Sequence, residues 1–160
     1  MATEISLQIL YGQLAVYRPE LAQLNLWTDD HVAQGFAWRE GNVSFGVPDH
    51  DGPSLIAVDF RGSRPPLAPD CIRAVEVPLR VGDQGVLLAT VLDEMRLSMT
   101  AGLYAVRFEL LPGFEQDAVT YANRIRLTFV PDGQADFAIL RGDDELTARA
   151  VITHDAEPAC

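Results

Sequence analysis

Arg73-Ala-Val-Glu-Val-Pro-Leu-Arg-Val81 decides the fold class. Val75, Val77, Leu79 and Val81 recur at every second position, with Glu76, Pro78 and Arg80 between them. Side chains two apart share one face of a strand, so this stretch reads as a half-buried β-strand. Pro78 has no N–H to give to a ladder, which places the strand at a sheet edge or beside a bulge.

The same period extends outward in both directions. Val86–Thr90 follows the turn Gly82-Asp-Gln-Gly85 and is expected to pair back onto 73–81. Upstream, Ile5, Leu7 and Ile9 alternate with Ser6 and Gln8, and the pattern resumes at Leu14 and Val16 beyond a bend at Gly12. Residues 43–47 and 54–60 flank a turn at Asp49-His-Asp-Gly-Pro53 and read as a hairpin. Downstream come a strand at 103–111 and another in which Ile125, Leu127 and Phe129 alternate with Arg124, Arg126 and Thr128. Turns at Pro131-Asp-Gly133 and Gly142-Asp-Asp144 lead into strands at 135–140 and 146–153. Leu92–Arg96 carries a helical-turn signal, the Pro-rich run 61–69 is a loop, and residues 154–160 are expected to fray. The sum is a single mainly β domain over residues 1–160, an antiparallel β-sandwich of roughly eight to ten strands with one short helix.

That helix is written in its caps. In Trp27-Thr-Asp-Asp-His-Val-Ala-Gln-Gly35, Thr28 is the N-cap, and Asp29 and Asp30 favour the positive end of the dipole. Trp27 and Val32 have the spacing of a hydrophobic staple, and Gly35 closes the last turn.

Composition narrows the function classes. The chain is 160 residues long and 48% hydrophobic, enough to fill one core. Its longest apolar run, Val86–Leu92, falls well short of the about 18 residues of a membrane span. No basic region followed by an apolar block opens the chain, so a cytoplasmic location is expected. The formal net charge is −11, from 23 acidic and 12 basic residues, and every basic residue is Arg. Such a chain is repelled by nucleic-acid phosphates and anionic lipid, and it attracts basic partners. Neither nucleic acid nor membrane is expected as a partner.

Catalytic constellations are missing from the sequence. His31, His50 and His154 have no ligand spacing, and an EF-hand starting at Asp49 fails at Pro53 and Phe60. Cys71 and Cys160 form no CxxC pair and are expected to be free thiols. There is no phosphate loop and no nucleophile elbow. The chain is therefore expected to be no enzyme and to carry no cofactor or metal.

Several stretches resemble the ComJ family, competence-associated inhibitors of a DNA-entry nuclease. They are Ile5-Ser-Leu-Gln-Ile-Leu-Tyr-Gly-Gln-Leu-Ala-Val-Tyr17, Trp27-Thr-Asp-Asp-His-Val-Ala-Gln-Gly-Phe-Ala37 and Val43-Ser-Phe45. Val75-Glu-Val-Pro-Leu79 and Arg96-Leu-Ser-Met-Thr-Ala-Gly-Leu-Tyr104 are similar to later strands of the family. The likeness spans about residues 4–111, and the hairpins at 121–152 are longer than the family's. What the resemblance implies is a small acidic β-sandwich that binds and silences a nuclease.

The expected function is thus that of a nuclease inhibitor or immunity protein occluding the basic DNA-binding cleft of a cognate DNase. The candidate partner-binding residues are Asp29, Asp30, Glu115, Asp117, Asp143, Asp144 and Glu145, with Trp38 as an aromatic anchor. The alternative is a structural or adaptor module binding a protein or glycan. A glycan face would have to draw on Trp27, Trp38 and Tyr121.

Overall fold

Two sheets face each other across one apolar core. The computed structural model describes residues 3–9, 12–22, 24–48, 52–142 and 156–158. Its elements are β1 (Thr3–Gln8), β2 (Gln13–Tyr17), α1 (Asp29–Gln34), β3 (Phe36–Arg39), β4 (Asn42–Gly46) and β5 (Pro53–Phe60). They continue as β6 (Arg73–Val81), β7 (Val86–Ala89), β8 (Glu94–Leu97), β9 (Gly102–Gln116), β10 (Val119–Pro131) and β11 (Ala138–Arg141). A six-stranded sheet has the order β1-β5-β10-β9-β6-β11, and a five-stranded sheet the order β3-β4-β2-β7-β8.

The alternating residues do what their period predicts. Val75, Val77, Leu79 and Val81 are all buried in the core cluster, with Phe108, Leu110, Ile125, Leu127 and Phe129 from the same sheet. Leu14, Val16, Phe36, Val43, Phe45 and Leu88 meet them from the other sheet. Phe45 of β4 stacks on Phe108 of β9 with ring centroids 4.9 Å apart, joining the two layers. Pro78 sits where its missing N–H costs nothing, because β11 pairs with β6 only at Ala74, Val75 and Glu76.

The strand read as bent at Gly12 is two strands, β1 and β2, in opposite sheets, and the structure departs from the sequence reading at four further places. Residues 43–47 and 54–60 do not form a hairpin: β4 pairs with β2 and β3, while β5 pairs with β1 and β10 in the opposite sheet. β7 does not return onto β6 but joins β2 and β8. The expected helical turn at 92–96 is largely edge strand β8. β5 and β10 run parallel, an exception in an otherwise antiparallel pair of sheets. The physical reason is common to the first two. A turn sequence reverses the chain, but either the same sheet or the facing one can satisfy the next strand's backbone.

The end of the chain is also tied down where it is described. Ala156 N–H donates to the Trp38 carbonyl at 2.6 Å, Leu26 N–H to that of Glu157 at 2.7 Å, and Pro158 bridges Asn25. These contacts fall within the stretch 154–160, of which only 156–158 are described. The tip at Asp49-His50-Asp51 and the strand expected at 146–153 lie outside the described residues.

Candidate functional site

The Arg side chains sort the carboxylates into two populations. On the outer face of the six-stranded sheet, Glu76 of β6 accepts from Arg107 of β9 at 3.2 Å and from Arg64 of the Pro-rich loop at 2.7 Å. Arg64 also reaches Asp132 at 2.7 Å. Glu109, fully buried, is held by both Nε and Nη2 of Arg126, and its Oε1 accepts the Ala68 N–H at 2.8 Å. Arg107 and Arg126 donate as well to the carbonyls of Pro65 and Pro66. Arg64, Arg107 and Arg126 thus fasten the Pro-rich loop over this face of the sheet. The Gln134 backbone N–H first, and then Arg64, pull the Asp132 pKa below the ordinary carboxylate value.

A second population gathers at one end of the sandwich. The ends of the two sheets meet there, since Arg73 Nη1 at the start of β6 donates to the Gly46 carbonyl at the end of β4, 3.4 Å away. The helix α1 lies over this end, because Trp27 Nε1 donates to Gln13 Oε1 at 3.1 Å and Gly46 N–H to the Gly35 carbonyl at 2.9 Å. The expected caps are both formed. Thr28 Oγ1 accepts the His31 N–H, and Gly35 takes φ 87°, a conformation that a side chain would strain. The staple is not formed: Trp27 meets His31 edge-on at 6.4 Å, and Val32 is 60% exposed. His31 completes a reciprocal capping box, its Nδ1 accepting the Thr28 N–H at 3.0 Å. Burial pushes the His31 pKa down, against an opposing pull from Asp30.

Two further segments project at the same end. The β9–β10 hairpin overhangs its neighbours, since β5 reaches β10 only from Asn123 onward and β6 reaches β9 no further than Leu110. Its two-residue loop is Asp117-Ala118, both with positive φ (52° and 65°), the backbone of a type I′ turn. Phe114 stacks on Tyr121 at 5.4 Å with the Arg124 guanidinium over the Phe114 ring, which stiffens the overhang. Gly113 is required there, because a Cβ would collide with the carbonyl oxygens of Tyr121 and Ala122. The third segment is the β7–β8 turn, closed by Thr90 N–H donating to the Asp93 carbonyl at 2.8 Å and by Thr90 Oγ1 accepting from Leu92 and Asp93.

The predicted residues fall as follows. Asp29, Asp30, Glu115 and Asp117 are all exposed and all belong to this end. Trp38 does not join them: it is half-buried at the open edge of the sandwich, edge-on to Phe137 at 5.0 Å, its Nε1 donating to the Pro78 carbonyl at 2.7 Å. Asp143, Asp144 and Glu145 lie outside the described residues. Trp27, Trp38 and Tyr121 are each engaged in the protein's own contacts. The apolar pair Val91-Leu92 was missed as site residues, because it closes the longest apolar run of the chain, 86–92, and nothing in the sequence marks it as a turn tip. Among the described residues no group of three or more His, Cys, Asp or Glu is placed to hold a metal ion. No described helix is long and apolar enough to cross a membrane.

Comparison with known proteins agrees with this architecture. The model of the family Competence protein J (ComJ) matches residues 6–130. The crystal structure of ComJ from Bacillus subtilis, an inhibitor of the DNA degrading activity of NucA, superposes with a TM-score of 0.70 at 20% identity. The match covers 82% of this chain and 99% of that one. A search of curated proteins found no match. β11, Phe137 and the docked residues 156–158 lie beyond the matched segment and cover the sandwich edge beside Phe36 and Trp38. The chain belongs to the Competence protein J (ComJ) family.

Proposed function

We propose that this protein binds a nuclease and suppresses its cleavage of DNA. Family membership over residues 6–130 carries the reading, together with the inhibitory role stated for the structurally similar B. subtilis protein. The charge distribution supports it. A DNA-binding cleft must be cationic to hold phosphates, and the chain offers it a net charge of −11 with its Arg side chains largely turned to internal partners. Asp29, Asp30, Glu115 and Asp117, with Asp143, Asp144 and Glu145, steer the encounter, and the bound protein then occludes the cleft. This is a stoichiometric binding role, without catalysis, exercised in the cytoplasm.

The test is retention of partners on the tagged protein from its native cell, followed by a DNA-cleavage assay on the retained material. The expected result is one basic nuclease, silent in the complex and active once separated. A retained nuclease that still cleaves, or no nuclease at all, would sink the reading.

A further inference from the structure

The end of the sandwich that carries the exposed acids also carries the two most exposed large apolar side chains described. Leu92 is 62% and Val32 60% exposed. Neither position is explained by folding. Turn tips are ordinarily built of Gly, Asn, Asp, Ser or Pro, yet the Thr90-closed turn presents Val91-Leu92 at its tip. Helix α1 buries His31 and Gln34, and leaves Val32 facing outward.

Topology brings these residues to a common surface. β7 pairs with β2 through Ala89 and Ala15, so the turn after β7 lies beside the start of β2, over which Trp27 and α1 are fixed by Gln13. The β9–β10 overhang rises from the middle of the facing sheet, a sheet spacing of about 10 Å away, and adds Val119, 39% exposed, at its tip. Each of the three segments is held rigidly, by the capping box, the Thr90 turn and the Phe114–Tyr121 stack. Asp29, Glu115 and Asp117 border the apolar residues, and no salt bridge among the described residues engages them.

We propose that this end is the docking surface for the nuclease, with Val32, Leu92 and Val119 as its apolar centre and Asp29, Glu115 and Asp117 as its acidic rim. The inference rests on the inhibitor reading above. Charge complementarity selects the occupant: an apolar centre inside a carboxylate rim fits a hydrophobic spot set among the Lys and Arg side chains of a DNA-binding cleft. The centre supplies affinity through desolvation, and the rim supplies orientation and association rate. The overhanging hairpin is the part shaped to enter a cleft.

The experiment uses the full chain and the nuclease retained on it. Three double variants are compared with the wild type: Val32→Ser with Leu92→Ser, Glu115→Arg with Asp117→Arg, and a control at the opposite end, Glu40→Arg with Asp83→Arg. All six positions are exposed, and a thermal unfolding scan verifies that each variant folds. The apolar pair should weaken binding by about 100-fold, mainly through faster dissociation. The charge reversal should slow association by about tenfold and flatten its salt dependence, and the control should stay within about twofold of wild type. Inhibition by the wild type with both end variants equally potent overturns this surface and leaves the inhibitor reading standing. Failure of the wild type to retain a nuclease overturns both.

Discussion

The outer face of the six-stranded sheet and the α1 end of the sandwich are both rich in carboxylates, yet they use them in opposite ways. On the sheet, Glu76 and Glu109 are buried and matched by Arg64, Arg107 and Arg126, and the matched charges hold the Pro-rich loop in place. At the α1 end, Asp29, Glu115 and Asp117 face solvent beside exposed Val32, Leu92 and Val119. A paired, buried carboxylate belongs to the fold. An exposed one flanking uncovered apolar side chains is left available to something outside it. Counting charges in the sequence cannot separate these populations, because the net charge of −11 sums over both.

The comparison breaks most readily at Glu109. Glu109→Ala leaves the Arg126 guanidinium and the Ala68 N–H without their acceptor, and should cost about 3–5 kcal/mol in urea unfolding. A Glu109→Met, Arg126→Met double variant should recover the part of that loss due to the unpaired guanidinium, since two well-packed apolar groups need no partner, while the Ala68 N–H stays without its acceptor. If Glu109→Ala leaves stability unchanged, the sheet face is no more structural than the α1 end.

Smaller effects sharpen the other side. Thr28→Ala removes the cap of α1 and should lower stability by about 1 kcal/mol. Ala118→Gly relieves a side chain held at φ 65° and should raise stability by up to about 1 kcal/mol, offset in part by a more flexible unfolded chain. His31 adds a pH dependence to the same end. Its folded pKa lies below the unfolded value of about 6.5, so the unfolded chain binds the proton more readily. The associated stability is complete above that unfolded value and is lost as pH falls below it. The His31→Gln variant, which keeps a capping-box side chain but cannot titrate, should lose this part of the acid slope in unfolding followed from pH 7.5 to 5. Smallest of all, Asp29→Asn and Asp117→Asn should each change stability by no more than about 0.5 kcal/mol while slowing association with the nuclease.

How far the sequence alone could reach follows from the same chemistry. The sandwich is legible because strict alternation in 73–81 and 124–129 fixes a strand and its inner face. α1 is legible because Thr28, the two aspartates and Gly35 each have one job at a helix end. Partner strands are not legible: β4–β5 and β6–β7 look like hairpins, but the chain crosses between sheets at both. Asp29, Asp30, Glu115 and Asp117 could be named because acid at a cap or turn tip is exposed by default. Leu92 could not, since an aliphatic residue ending an apolar run reads as core until the Thr90 turn is seen to hold it outward. Trp38 shows the converse. Its place just after the helix fits an exposed anchor, whereas its ring closes the sandwich edge against Phe137.

The most direct measurement is amide hydrogen exchange of this protein alone and in complex with the retained nuclease. New protection is expected only at residues 28–34, 90–94 and 113–121, three segments far apart in sequence that share one end of the sandwich. Protection centred instead on the Pro-rich loop 61–72, or on the opposite end around Gly82–Gly85, with those three segments unchanged, would contradict that expectation.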